Sequence, residues 1–161
     1  LRVHLAANDL AEQSAGTNFF LQFADSGDFT STGNTTDIVI TDASPDYISL
    51  GAGGLYQVVI SVEYFTASGT AAQDFWLQVG HNNTDATGRR YWGTARRKVK
   101  ASSGSSDTAW NAQKTIIIDV PSSGDEKLYV SCLVNGVAFE IKAYDANRTN
   151  VTVTKIGVSS S

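Results

Sequence analysis

Between Ala86 and Ser106 stand six basic residues, Arg89, Arg90, Arg96, Arg97, Lys98 and Lys100, and no acidic one. The rest of the chain holds the other 6 of 12 basic residues against all 16 acidic ones, so a basic ribbon rides on an acidic body within a formal net charge of -4. A guanidinium fork grips a carboxylate or phosphate through two parallel hydrogen bonds. That chemistry makes Arg89, Arg90, Arg96 and Arg97 candidates for holding a small anionic ligand at a cleft between subunits. The plainer reading is a solvated strand face, or ion pairs with the acidic body of a neighbouring subunit. Nucleic acid is disfavoured as a partner by a sequence pI near 5.0.

Three tryptophans raise a second possibility, because an exposed aromatic ring can stack on a sugar face. Tyr91 and Trp92 inside the ribbon, and Trp110 after it, lie near polar loops and are the candidates for glycan or cell-surface contact. Trp76 alternates with apolar neighbours, which predicts a buried or interfacial ring.

Catalytic chemistry is harder to assemble. A nucleophile needs a base and an orienting group, yet His4 and His81 are the only histidines, neither beside a Ser or Cys motif, and no Gly-x-Ser-x-Gly elbow occurs. Two histidines and one cysteine do not close a zinc site within one chain. The pairs Asp25/Asp28 and Asp42/Asp46 fall in turns, where Asp serves turn hydrogen bonding. The expectation is a non-enzyme without metal or cofactor. Cys132, alone, reads as a small buried hydrophobe.

The elements that must position these residues are strands. The stretch Gly51-Ala-Gly-Gly54 supplies backbone freedom for a turn, and strict alternation follows it. Gly54, Tyr56, Val58, Ile60, Val62 and Tyr64 share one face and Gln57, Val59, Ser61 and Glu63 the other, the pattern of a half-buried core strand. Further strands are predicted at Phe19 to Phe23, Asp37 to Thr41, Tyr47 to Leu50 and Gln73 to Val79, the last paired with the long core strand. Loops are expected at Thr30 to Asn34, Gly80 to Gly88 and Ser102 to Asp107. The near-continuous apolar runs Thr115 to Val120 and Lys127 to Val134 predict strands buried on both faces. Asn135-Gly136 is a type I′ hairpin signal leading into Val137 to Tyr144, and Asn150 to Gly157 closes the set.

Nine to ten short strands with turns between them, and no amphipathic helix, argue for a sandwich or jelly roll. Apolar residues at 42% and charged ones at 17% suit a β-rich extracellular or virion domain, and 161 residues suffice for one core. No run reaches the roughly 18 apolar residues of a membrane span, so stable membrane insertion is not expected of this domain. The missing initiator Met suggests a piece of something longer, with residues 1–15 as a lead-in from a stalk and 1–161 as one head domain.

Three stretches resemble the tumour-necrosis-factor/C1q-like superfamily. They are Gly53-Gly54-Leu55-Tyr56-x-Val58-x-Ile60-x-Val62, the Gly124-Asp125 pair before Leu128-Tyr129-Val130, and the closing Val151-Thr-Val-Thr-Lys-Ile156. The resemblance implies an all-β, two-sheet jelly-roll sandwich that assembles as a homotrimer, a head carried on a fibrous stalk. The absence of Met, the single Cys and the abundance of Ser, Thr, Gly and Asn are similar to phage adhesins, most of all to the tail-needle knobs of short-tailed enterobacterial phages. That likeness implies a virion location and a host cell-surface partner during attachment or DNA ejection. The other readings are a C1q-like head of a collagen-like protein and a carbohydrate-binding module. The ribbon from Arg89 to Lys100 matches nothing in the superfamily's pattern.

Overall fold

The computed structural model describes residues 1–5, 14, 16–24, 29–33, 35–66, 73–81, 90–99, 108–124, 126–135, 138–141 and 149–159. Twelve strands are present among them: β1 (Arg2–Leu5), β2 (Phe19–Phe20), β3 (Phe29–Thr32), β4 (Ile38–Thr41), β5 (Tyr47–Leu50), β6 (Gly54–Thr66), β7 (Gln73–His81), β8 (Arg90–Val99), β9 (Thr108–Val120), β10 (Glu126–Asn135), β11 (Phe139–Ile141) and β12 (Asn150–Val158). They form two antiparallel six-stranded sheets. Sheet A runs β3-β1-β12-β6-β9, with β11 continuing the β12 side of β6; sheet B runs β4-β5-β10-β7-β8, with β2 continuing the β5 side of β10.

The alternation of β6 explains why it lies at the centre. Tyr56, Val58, Ile60, Val62 and Tyr64 are all fully buried, and they face Phe75, Leu77 and Val79 of β7 and Leu128, Val130, Cys132 and Val134 of β10. Tyr64 stacks flat on Phe75, with ring centroids 3.6 Å apart and planes 6° from parallel. That contact crosses between the sheets, because β7 hydrogen-bonds to β10 and β8 and not to β6. The expected pairing of β7 with its predecessor is thus corrected: two strands with one apolar face each bury more by facing each other than by lying side by side.

The glycine loop is built for close approach. Gly53 has φ of 65°, in the left-handed region, and a Cβ on Gly54 would fall 2.3 Å from the Tyr56 ring. The Tyr56 hydroxyl donates to the Gly51 carbonyl at 2.8 Å, tying the ring to the loop that precedes it. At the neighbouring turn, the buried Asp46 carboxylate accepts from the amides of Ala24 and Ala43 at 2.7 and 2.9 Å, which fastens two connections of the fold together.

Four other expectations change. Asn135-Gly136 does not close a hairpin between neighbours: β11 pairs with Tyr64, Phe65 and Thr66 of β6, in the opposite sheet from β10. The turn chemistry is local, whereas Phe139 and Ile141 gain burial only by crossing to sheet A. Thr30 to Asn34, expected as a loop, holds most of β3, an edge strand whose Thr30, Ser31 and Thr32 are exposed. Residues 1–15, expected as a lead-in, contribute β1, and Leu1 extends its ladder by exchanging backbone hydrogen bonds with Val153. Finally, β9 starts seven residues before the apolar run and pairs with β6 along its whole length.

Candidate functional site

The ladder between β7 and β8 fixes where the basic ribbon runs. Its core, Arg90 to Val99, is the outermost strand of sheet B, and it lies against β9, the outermost strand of sheet A. Arg90 stands opposite His81, Arg96 opposite Trp76, Arg97 opposite Phe75 and Lys98 opposite Asp74. Arg90 and Arg96 are therefore roughly 20 Å apart along the strand, and Arg96 and Arg97 hold consecutive, alternating ladder positions. One chain strings these residues out instead of gathering them. Arg89, Lys100, the rest of the loop expected up to Gly88 from residue 82, and the loop expected at 102–107 lie outside the described residues.

The aromatic candidates separate as well. Tyr91 stands opposite Gly80, and Trp92 falls where the register shifts between Val79 and Gly80, so it is the extra residue of a β-bulge. Trp110 is the third residue of β9 and stands opposite Tyr64.

A second surface is the outer face of sheet B. Leu133 stands opposite Trp76, Ser131 opposite both Gln78 and Phe20, and Tyr129 opposite Gly80. The Ser131 hydroxyl and the Gln78 amide oxygen are 3.4 Å apart, at the centre of this face. Tyr129 is only 4% exposed although it points away from the core. Phe20 meets it edge-on at 6.4 Å, and Tyr47 lies tilted against it at 5.6 Å with the Lys127 ammonium 4.9 Å above the Tyr47 ring. This cover, with burial, holds the Tyr129 hydroxyl above the usual tyrosine range, and the nearby Tyr47 adds to the effect. The signal in the sequence was the off-face series Trp76, Gln78 and Tyr129, Ser131, Leu133, hidden inside an apolar run.

The outer face of sheet A differs. Val59 is 36% exposed and Ile117, diagonal to it across the β6–β9 ladder, is 53% exposed; the expectation that Thr115 to Val120 is buried on both faces fails at Thr115, Ile117 and Asp119. Ile156 and Val158, at the end of β12, are exposed too. At the same end, Lys155 bridges to Asp37 at 2.9 Å and joins sheet A to the start of β4. The hydrogen bond to Asp37 raises the Lys155 pKa, while burial opposes that shift.

Among the described residues no group of three His, Cys, Asp or Glu side chains could hold a metal ion, and no helix is long and apolar enough to cross a membrane. The Cys132 thiol is fully buried, which pushes its pKa far up.

With this geometry in place, the class of the fold is a tumour-necrosis-factor-like jelly roll of two antiparallel sheets. Among solved structures it is similar to Eiger TNF from S. frugiperda, with a TM-score of 0.63, 11% identity, and coverage of 99% of this chain and 93% of that one. At such identity the likeness concerns the fold. A second structure, the CBM22-1–GH10 modules of Clostridium thermocellum xylanase 10B with xylohexaose, has a TM-score of 0.40 at 13% identity. This chain spans 28% of that one, and a score so low carries no argument. No family model and no curated protein matches the chain.

Proposed function

We propose that the domain is a non-enzymatic homotrimeric head at the tip of a viral fibre, of the kind that caps a phage tail needle, and that it touches the host cell surface during attachment. The observation that carries this reading is the outer face of sheet A, where Val59 and Ile117 stand in water on the two strands at one side of a well-packed sandwich. Exposed aliphatics that stand next to each other on one sheet face are the kind of surface a symmetric contact covers. The low charge content and the Ser-, Thr- and Gly-rich composition fit a particle exposed to the medium. The mechanism is mechanical: three chains lock through their sheet A faces, and the opposite faces and the connecting loops meet the cell.

The test is binding of the fluorescently labelled domain to intact enterobacterial cells. Saturable binding that unlabelled domain displaces supports the reading. Binding no greater than that of an unrelated acidic domain of similar size overturns the host-contact role, whatever the oligomeric state.

A further inference from the structure

Asn135-Gly136 carries a turn signal yet closes no hairpin between neighbours, and Asn135 is the only asparagine of the chain with a glycine after it. The pair has a chemistry of its own. Glycine has no side chain to shield its backbone nitrogen, so that nitrogen reaches the side-chain carbonyl carbon of the asparagine before it more readily than in any other pair.

The fold leaves Asn135 open to this reaction. It is exposed, it is the last residue of β10, and it holds the last rung of the β7–β10 ladder, opposite Asp74. Val134 and Phe75, one position back, are buried in the core, so Asn135 and the half-buried Asp74 share the outer face of sheet B. That face is turned away from the contact proposed on sheet A, and water reaches Asn135 whether the domain is one chain or three. Only residues 136–138 then separate β10 from Phe139, which is buried in β11 of the other sheet.

We propose that Asn135 is a site of spontaneous deamidation, and that the product loosens the end of the β7–β10 ladder. The Gly136 nitrogen bonds to Asn135 Cγ, the Cγ–Nδ2 bond breaks, and the amide proton passes through solvent to the departing nitrogen, which leaves as ammonia. Water then opens the five-membered imide at one of its two carbonyls. One opening leaves an aspartate; the other leaves an isoaspartate, whose main chain is one methylene longer. Either product brings a carboxylate to the rung opposite Asp74, and like charges directly opposite on a sheet repel. The isoaspartate also lengthens the main chain where it leaves sheet B for sheet A.

The experiment holds the whole domain at 37 °C and pH 8.5, samples it over weeks, and digests each sample with trypsin. Cleavage after Lys127 and Lys142 releases residues 128–142, in which Asn135 is the only side-chain amide, so a gain of one mass unit there reports this residue alone. Residues 101–114, with the half-buried Asn111 followed by Ala112, are the internal control. The 128–142 peptide gains mass several-fold faster than the control, and isoaspartyl methyltransferase labels it. Both signals fall to the control level in Asn135→Gln and drop several-fold in Gly136→Ala. Asn135→Asp, made directly, unfolds at a lower urea midpoint than the parent, and the deficit shrinks when Asp74→Asn is added. A 128–142 peptide that gains mass no faster than the control overturns the proposal, as does an Asn135→Asp midpoint equal to the parent's. The mass readout uses the parent chain, so it decides the matter even if a variant does not fold.

Discussion

β9 and β10 look alike in sequence, Thr-Ile-Ile-Ile-Asp-Val against Leu-Tyr-Val-Ser-Cys-Leu-Val, and the molecule treats them differently. In β10 two of the residues that point away from the core, Tyr129 and Ser131, are buried, and Phe20 and Tyr47 pack on the Tyr129 ring. In β9 nothing described covers Ile117, which is half exposed while Ile116 and Ile118 on either side are buried. The difference teaches that an apolar run fixes only one face of a strand. The second face depends on what other segments, or other chains, lay over it.

If that contrast is sound, Tyr129→Ala breaks packing completed within one chain. The variant should lose about 3–5 kcal/mol of stability, the usual cost of deleting a large buried aromatic, in urea melts whose midpoint does not depend on protein concentration. A loss under about 1 kcal/mol would mean that the cover over β10 contributes little. Ile117→Ser should instead leave the fold of the single chain nearly untouched, within about 0.5 kcal/mol, since its side chain is already half in water. Its effect should appear as an oligomer that dissociates at higher concentration than the parent.

A pH titration sharpens the same comparison. Burial raises the Tyr56 and Tyr129 hydroxyl pKa values above 10.0, the value they return to on unfolding. A raised folded pKa gives stability that is present below the unfolded value and lost as pH climbs through the folded one. Stability should hold from pH 7 to about pH 8 and fall as pH rises through 9 and 10, the buried Cys132 thiol contributing first and the tyrosines after it, and Tyr129→Phe should reduce part of that fall in urea melts at pH 8 and pH 10.5. The smallest effect belongs to the Lys155–Asp37 bridge, whose side chains are 32% and 45% exposed. Asp37→Asn should cost less than about 1 kcal/mol, and less again in 0.5 M salt.

Much of the architecture was legible because alternation is a direct record of burial. Gly54, Tyr56, Val58, Ile60 and Val62 fall inside as their period requires, and the superfamily resemblance on Gly53 to Val62 agrees with the jelly-roll topology. What was not legible is partner choice. Phe75, Leu77 and Val79 read as a strand, but nothing in their order says that β7 faces β6 across the core instead of pairing with it. The Asn135-Gly136 signal is local and lost to the burial that β11 gains on the other sheet. β3 and the first half of β9 lack apolar periodicity and are strands because long neighbours offer them backbone partners. The site residues were legible as chemistry and not as an arrangement: the arginines read as a cluster along the chain, and Arg90, Arg96 and Arg97 are spread along an edge strand.

The contact proposed among three copies, through the exposed aliphatics of sheet A, shows itself in the solution mass of the domain. Light scattering behind a sizing column should give about 52 kDa, three times the 17.2 kDa chain, and the double variant Val59→Asp, Ile117→Asp should give one chain's mass with an unchanged β-sheet spectrum. A parent protein that elutes as a 17.2 kDa monomer at all concentrations, or a double variant that stays trimeric, would rule that contact out.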